Sequence, residues 1–311
     1  MTSMARKKKS HAKSFRIKLP ATSANLGPAF DAAALALDLF ITIDAQAAPA
    51  FAITASGRDR DICSRLENHL ILQTYHEVLA AEGREVLPLA LRIKNDIPIG
   101  KGCGSSAAAR LAGIALADHF GRLRWSNSRM VGEAARREHH PDNASACWMG
   151  GITVARMISE NEAQVASIRP KGNWPLLIAI PEEPLSTEQA RQVLPGQYSR
   201  GDVVANLQNS MLLLAAFTQG RQDWVANALV DRIHQPYRAP LCPLLPCLQQ
   251  LQGQSGILGA VLSGAGPSVL LFLQSGSKTR EVRRSVASHL ANRGLRAELI
   301  ATSIAESFRR R

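Results

Sequence analysis

The segment Ile97-Pro98-Ile99-Gly100-Lys101-Gly102-Cys103-Gly104-Ser105-Ser106-Ala107-Ala108-Ala109-Arg110 constrains this chain more than any other. Its glycines at alternate positions, Gly100, Gly102 and Gly104, can take left-handed backbone conformations and turn successive N–H groups toward one point. From Ser105 and Ser106 an alanine-rich run extends to Ala117, a helix whose free N–H groups and positive dipole end face that same point. The stretch therefore predicts an anion cradle, with a serine hydroxyl able to ligate the Mg2+ that accompanies a nucleotide. The Walker pattern G-x-x-x-x-G-K-[ST] is absent, because Lys101 lies inside the glycine cluster. A dinucleotide fingerprint fails too: the spacing is Gly-x-Gly-x-Gly, and no clear acid stands about 20 residues on. The simpler use of these residues is a helix cap by Ser105 with the glycines as a connector.

A chain of 311 residues is long enough for one large domain or two, and 46% hydrophobic with 20% charged residues suits a soluble globular enzyme. The net charge of +12 points to nucleic acid until it is located. Residues 1–18 carry seven basic side chains (Arg6, Lys7, Lys8, Lys9, Lys13, Arg16, Lys18) and no acid, and Arg309, Arg310 and Arg311 add three more, leaving only +2 between them. This distribution predicts a solvated basic tail over residues 1–16 rather than a nucleic-acid or membrane partner. No apolar segment follows Lys9 as in a secretory signal, and the apolar run near 256–273 is broken by glycine, serine and proline. The five cysteines are odd in number and include no C-x-x-C pair, which fits reduced thiols in the cytoplasm. Cys103, inside the glycine loop, is a candidate reactive thiol.

Hydrophobic periodicity predicts strands at 15–19 (ended by Pro20), 35–43, 52–54 and 89–93, and helices at 68–82, 105–119 and 126–138, with a turn into a strand at 150–155. A second unit begins near 174. Its strands are predicted at 176–180, 260–262, 268–273 and 296–300, and its helices at 206–217, 224–233 and 278–293. This mixed order predicts an α+β protein of two layered domains.

Three other groups of residues can carry chemistry. In 19–31, Asn25 can donate and accept and Asp31 can hold an ammonium, although Asp31 could equally cap a helix. Residues 137–143 pack acid, imidazole and amide together, and a Mg2+ site could use Glu138 or Glu133. Zinc at His139 and His140 is not expected, because adjacent side chains diverge and no further ligand set is evident. Arg191 and Arg238 could be surface arginines, or a guanidinium pair that grips a carboxylate.

Taken in order, these motifs resemble those of the GHMP kinase superfamily and, within it, of the homoserine kinases, over nearly the whole chain from Ile17. Residues 20–31 are similar to P-x-T-S-A-N-L-G-P-G-F-D, 95–109 to N-D-I-P-x-x-x-G-L-G-S-S-A-A-A, and 138–143 to E-G-H-P-D-N. Residues 262–268 resemble the third GHMP motif, while the S-T-x-x-A-R-x-x-L-P run at 186–195 and Pro236-Tyr237-Arg238 favour the homoserine kinases. The resemblance implies a ribosomal S5 domain 2-like unit at 17–172, a ferredoxin-like unit at 173–311, and an active site between them. It also implies ATP and Mg2+, transfer of the γ-phosphoryl group to the hydroxyl of L-homoserine in threonine biosynthesis, and a homodimer. Asn25, Asp31, His140 and Asn143 would line the amino-acid site, with Arg191 and Arg238 on the substrate carboxylate and Asp31 on its ammonium. Pro98, Ile99, Gly100, Lys101, Gly102, Cys103, Gly104, Ser105, Ser106, Ala107 and Ala108 would wrap the phosphates, with Ser106 and Glu138 (or Glu133) on Mg2+. Asn143 falls where mevalonate kinases carry an aspartate base, and Asp142 is the alternative base. The chain departs from the family pattern at Ala29, Cys103 and His139, which puts acceptor choice in question. Two other readings stay open: a GHMP kinase for a different small alcohol, and a non-catalytic member that uses its basic tails.

Overall fold

The computed structural model describes residues 14–306; the tail predicted over 1–16 lies outside them up to residue 13, as do Arg309, Arg310 and Arg311. The last residues of that predicted tail, Ser14, Phe15 and Arg16, pair with Gln46, Ala45 and Asp44 in strand and are not a solvated tail. The first sheet contains β1 (Ser14–Ala24), β2 (Ala33–Ala47), β3 (Ala52–Gly57), β4 (Leu89–Asn95), β5 (Ile152–Ser159) and β6 (Glu162–Ile168). Its order is β3-β4-β2-β5-β6, with β1 also paired to β2. Alternation explains its half-buried strands: in β4, Leu89, Leu91 and Ile93 face the core while Arg92 and Lys94 face water. β1 does not end at Pro20 but runs on to Ala24, with a register shift against β2 between Pro20 and Ala21. An irregularity in the ladder is where a residue without an N–H can be accommodated, so the proline marks a bulge instead of a stop.

Helices Leu70–Ala81, Ser105–Gly121, Asn127–Glu138 and Asp142–Met149 accompany this sheet. Ser105–Gly121 lies at their centre, packed on the other three and on β1 and β2. It buries Leu111, Ile114, Leu116 and Phe120 together with five alanines, Ala107, Ala108, Ala112, Ala115 and Ala117. A helix apolar on most sides is a core helix, and each of its large buried side chains contributes roughly 1.5–3 kcal/mol of transfer free energy.

The second sheet contains β7 (Leu176–Ile180), β8 (Ile257–Leu262), β9 (Val269–Leu273) and β10 (Glu298–Thr302), in the order β10-β7-β9-β8 with every pair antiparallel. Every residue of β7 and β9 is buried, as continuous apolar runs require of central strands covered on both faces. Helices lie between β7 and β8, the longest being Arg200–Gln219, and Thr279–Ala291 lies between β9 and β10. The chain thus follows the β-α-β-β-α-β order of a ferredoxin-like unit, and the α+β class is borne out.

The helix expected over 224–233 is shorter, Gln222–Ala228. Beyond it the Asp231 carboxylate accepts the N–H groups of Ile233, His234 and Gln235, a local alternative to helical bonding. One apolar cluster runs from Ile17, Leu35 and Leu116 to Trp174, Ile178, Phe217 and Phe272, so the two sheets share a core. Residues after β10 cross back to the first sheet, where Ala305 N–H donates to Ala36 O at 2.9 Å and Leu37 bridges Ile304. Among the described residues, no helix is long and apolar enough to cross a membrane.

Candidate active site

β4 delivers the chain into the glycine loop, where Gly100, Gly102 and Gly104 have φ of +71°, +75° and +68°. Helix Ser105–Gly121 begins with Gly104 in the capping position and no side-chain cap bond, so Ser105 is not its cap. Its first N–H groups have no acceptor within the helix and point toward the loop. Across the loop, Ser263 Oγ donates to Gly102 O at 2.7 Å, and Lys101 Nζ donates to Glu182 O. A Cβ at Gly102 would lie 2.4 Å from Ser263 O and 2.6 Å from Gly266 O, so close backbone approach as well as positive φ demands glycine there. The reactivity expected of Cys103 is corrected: its side chain points into the core at 1% exposure, and burial pushes the thiol up to about 12. A thiol that stays protonated is a poor nucleophile.

The second group is built on the loop after β1. Asn25, at φ +70°, donates through Nδ2 to Gly264 O (2.9 Å) and accepts the Asp31 N–H (2.9 Å). Ala29 donates its N–H to Asn25 O at 2.9 Å and is not among the residues of positive φ, so a Cβ there brings no left-handed backbone strain. Asp31 Oδ1 sits 2.8 Å from Arg191 Nη2. The anion and cation expected at separate points of the site therefore touch, as opposite charges half-withdrawn from water do. Arg238 is 1% exposed; its Nε donates to Ala190 O (2.9 Å) and its Nη1 to His234 Nδ1 (3.2 Å). Burial and the neighbouring Arg191 lower the Arg238 pKa. Both guanidinium groups lie over the Phe30 ring, Arg191 at 5.6 Å and Arg238 at 5.3 Å.

The third group surrounds the start of helix Asp142–Met149. Asp142 Oδ1 accepts from His140 Nδ1 (2.5 Å) and from the Asn143 N–H (2.6 Å), and Thr22 Oγ1 donates to Asn143 Oδ1 (2.6 Å). Burial opposes charge on His140, but the bond to Asp142 and its charge outweigh burial and raise the pKa. Ser106 Oγ donates to Glu138 Oε1 at 2.6 Å, and Arg110 Nε approaches the same oxygen at 2.5 Å. Glu133, five residues earlier on the same helix, is instead held by Arg129, Arg136 and Arg137. Burial would raise its pKa, yet Arg136 and Arg137 bring it below the ordinary value.

His139 closes helix Asn127–Glu138 at φ +68°, exposed and in a conformation that L side chains resist. His139→Gly should therefore stabilise the fold by about 1 kcal/mol, read as a higher urea midpoint at unchanged slope. An unchanged or lower midpoint would contradict this reading.

Asn25, Asp31, Gly100, Gly102, Gly104, Ser105, Ser106, Glu138, His140, Asp142, Asn143, Arg191 and Arg238 all line one cleft with a cavity of about 110 Å3. Pro98, Ile99 and Lys101 line an adjacent groove of about 470 Å3 with Arg58, Asp59, Glu182, Arg296 and Glu298. Ala107 and Ala108 are buried beneath the loop with Cys103, and Glu133 lies outside the cleft lining. Sequence reasoning missed Thr187 and Gly264 in the lining, and Phe30, Asp231 and His234 behind it. Thr187 was legible in the S-T-x-x-A-R run, Gly264 in the motif at 262–268 and Phe30 in the motif at 20–31; Asp231 and His234 carry no local signal.

The family model described as GHMP kinases N terminal domain matches residues 69–151, and the one described as GHMP kinases C terminal matches residues 213–292. A homoserine kinase of Solibacter usitatus is 42% identical over 84% of this chain and 86% of its own length. A homoserine kinase of a Synechococcus species is 37% identical over 94% of this chain and 96% of its own. A crystal structure of homoserine kinase from Cytophaga hutchinsonii, 20% identical, shares the fold at a TM-score of 0.81, covering 99% of this chain and 100% of that one.

Proposed function

The chain belongs to the GHMP kinase family, among the homoserine kinases, and from that premise we propose that it transfers the γ-phosphoryl group of ATP to the hydroxyl of L-homoserine, giving O-phospho-L-homoserine for threonine synthesis. One observation carries this reading: a single cleft holds Asp31, Arg191 and Arg238 against the open N-terminus of helix Ser105–Gly121. A zwitterion offers a carboxylate to the two arginines and an ammonium to Asp31, which exchanges its contact with Arg191 for one with the substrate. The loop N–H groups and the helix N-terminus receive the phosphates, and the groove beside Pro98, Ile99 and Lys101 offers room for the nucleoside. In this reading the cleft separates two functional units, 17–172 and 173–311.

The hydroxyl of Ser106 beside the carboxylate of Glu138 is an oxygen donor set that suits Mg2+. Bound there, Mg2+ supplies neutralisation of charge on the transferring phosphoryl group. The chain's own residues align the acceptor: Thr22 orients the Asn143 amide, and Asp142 orients His140 at the same edge of the cleft. With two donors already on its Oδ1, Asp142 serves better as an orienting group than as a base. Phosphoryl transfer depends mainly on such positioning and on charge neutralisation.

Ser106→Ala should slow turnover about tenfold or more and raise the magnesium concentration needed for half-maximal rate. Unaltered magnesium dependence would remove Ser106 from the metal site. The reading also includes self-association through the exposed side chains of Val203, Leu207 and Met211, one turn apart on helix Arg200–Gln219; a monomer in sedimentation would overturn that part. The decisive experiment is a screen of acceptor alcohols with Mg-ATP, read as ADP release. Turnover that depends on L-homoserine supports the proposal, and turnover only with another alcohol overturns it.

A further inference from the structure

His234 is 0% exposed and stands behind the cleft lining, yet it touches both halves of the charged acceptor site. Its Nε2 lies 2.8 Å from Gly27 O, in the loop that carries Asn25 and Asp31. A carbonyl only accepts, so Nε2 bears the proton and Nδ1 is left with a lone pair. That lone pair is met by Arg238 Nη1 at 3.2 Å. A guanidinium only donates, so this contact exists only with a neutral imidazole of that one tautomer. Burial, against the opposing charge of Asp231, and the neighbouring Arg238 hold the His234 pKa well below its usual value. The rest of the environment fixes the ring in place. Phe30 stacks on it with centroids 5.2 Å apart, and the Asp231 carboxylate ties down the N–H groups on either side, including that of His234 itself.

We propose that His234 is a positioning residue: its Nδ1 lone pair aims Arg238 at the acceptor carboxylate, and its bond to Gly27 holds the imidazole in the tautomer that offers that lone pair. The inference rests on the reading of Arg238 as the carboxylate grip and adds what aims it. Among the described residues, the Arg238 side chain has one other hydrogen bond, Nε on Ala190 O at 2.9 Å, about which the guanidinium end can swing across the face of Phe30. The lone pair of His234 supplies a second fixed point and makes the orientation unique.

Two replacements divide the two bonds. In His234→Asn the side-chain oxygen can take the place of Nδ1 and accept from Arg238, but the amide is too short for Gly27 O. In His234→Gln the amide reaches Gly27 O and leaves nothing at the Nδ1 position. The experiment measures KM for L-homoserine, KM for ATP and kcat for the wild type, His234→Asn, His234→Gln and His234→Ala, each checked for folding by its thermal transition. His234→Ala and His234→Gln should raise KM for L-homoserine about tenfold or more, His234→Asn by less than about threefold, with KM for ATP unmoved in all three. Glutamine performing as well as asparagine, or both KM values rising together, would overturn the proposal and leave His234 a packing residue. If the alanine variant does not fold, the asparagine and glutamine pair decides alone. A wild type without turnover on L-homoserine would overturn the functional reading itself and this inference with it; a wild type that turns over while the variants behave alike removes only the inference.

Discussion

Arg238→Ala should raise KM for L-homoserine about a hundredfold while leaving KM for ATP within about twofold, because a buried bidentate charge contact is worth about 3 kcal/mol. The guanidinium is 1% exposed, lies over Phe30, and is held by Ala190 O and His234. A carboxylate that meets it exchanges water for a charge already oriented, so little reorganisation opposes binding. Arg238→Lys should restore little, since an ammonium has neither the planar fork nor a donor at the position of Nε. The nucleotide side of the cleft is built from other elements, the glycine loop and the helix behind it. Steady-state kinetics with each substrate varied in turn checks the result, and unchanged saturation by L-homoserine would remove Arg238 from the acceptor site.

Gly102→Ala should have the second large effect, on both ATP use and stability. The residue has φ +75°, and its Cβ would meet two backbone carbonyl oxygens, Ser263 O and Gly266 O, at 2.4 and 2.6 Å. Backbone cannot step aside as a flexible side chain can. The left-handed conformation costs about 1–2 kcal/mol for an L residue, and the overlap adds about 1–3 kcal/mol. The loop and the Ser263 turn must separate, which breaks the Ser263–Gly102 bond and displaces the N–H groups meant for phosphate. A urea midpoint lowered by the equivalent of about 3 kcal/mol and a KM for ATP at least about tenfold higher are expected. Wild-type values for both would show that the loop does not need its contact with the second unit.

Much of this architecture was legible in one dimension because it rests on local rules. The alternation in 89–95, the five buried alanines of helix Ser105–Gly121 and the continuous apolar run of β7 each report their burial directly. Where local reading failed, a distant partner or a polar side chain had intervened. Pro20 reads as a strand end until the register shift against β2 is known. The chain after Ala228 reads as helix until the Asp231 carboxylate competes for its N–H groups. β6, Glu162–Ile168, is an edge strand whose apolar residues Ala163, Val165, Ala166 and Ile168 keep no clean alternation, so its strand character comes from pairing with β5.

The candidate site divides along the same line. The sequence alone determined the glycine loop, the order of the motifs and the family, because backbone freedom at glycine and short-range spacing are properties of neighbouring residues. Only the tertiary structure decided that Glu138 and not Glu133 faces Ser106, since five residues on one helix turn a side chain about 140° away. It also made Cys103 a buried thiol, joined Asp31 to Arg191 across 160 positions, and set His234 between Gly27 and Arg238. Each of these depends on which side chains packing brings together, and on how far it removes them from water, neither of which residues read in order along the chain can specify.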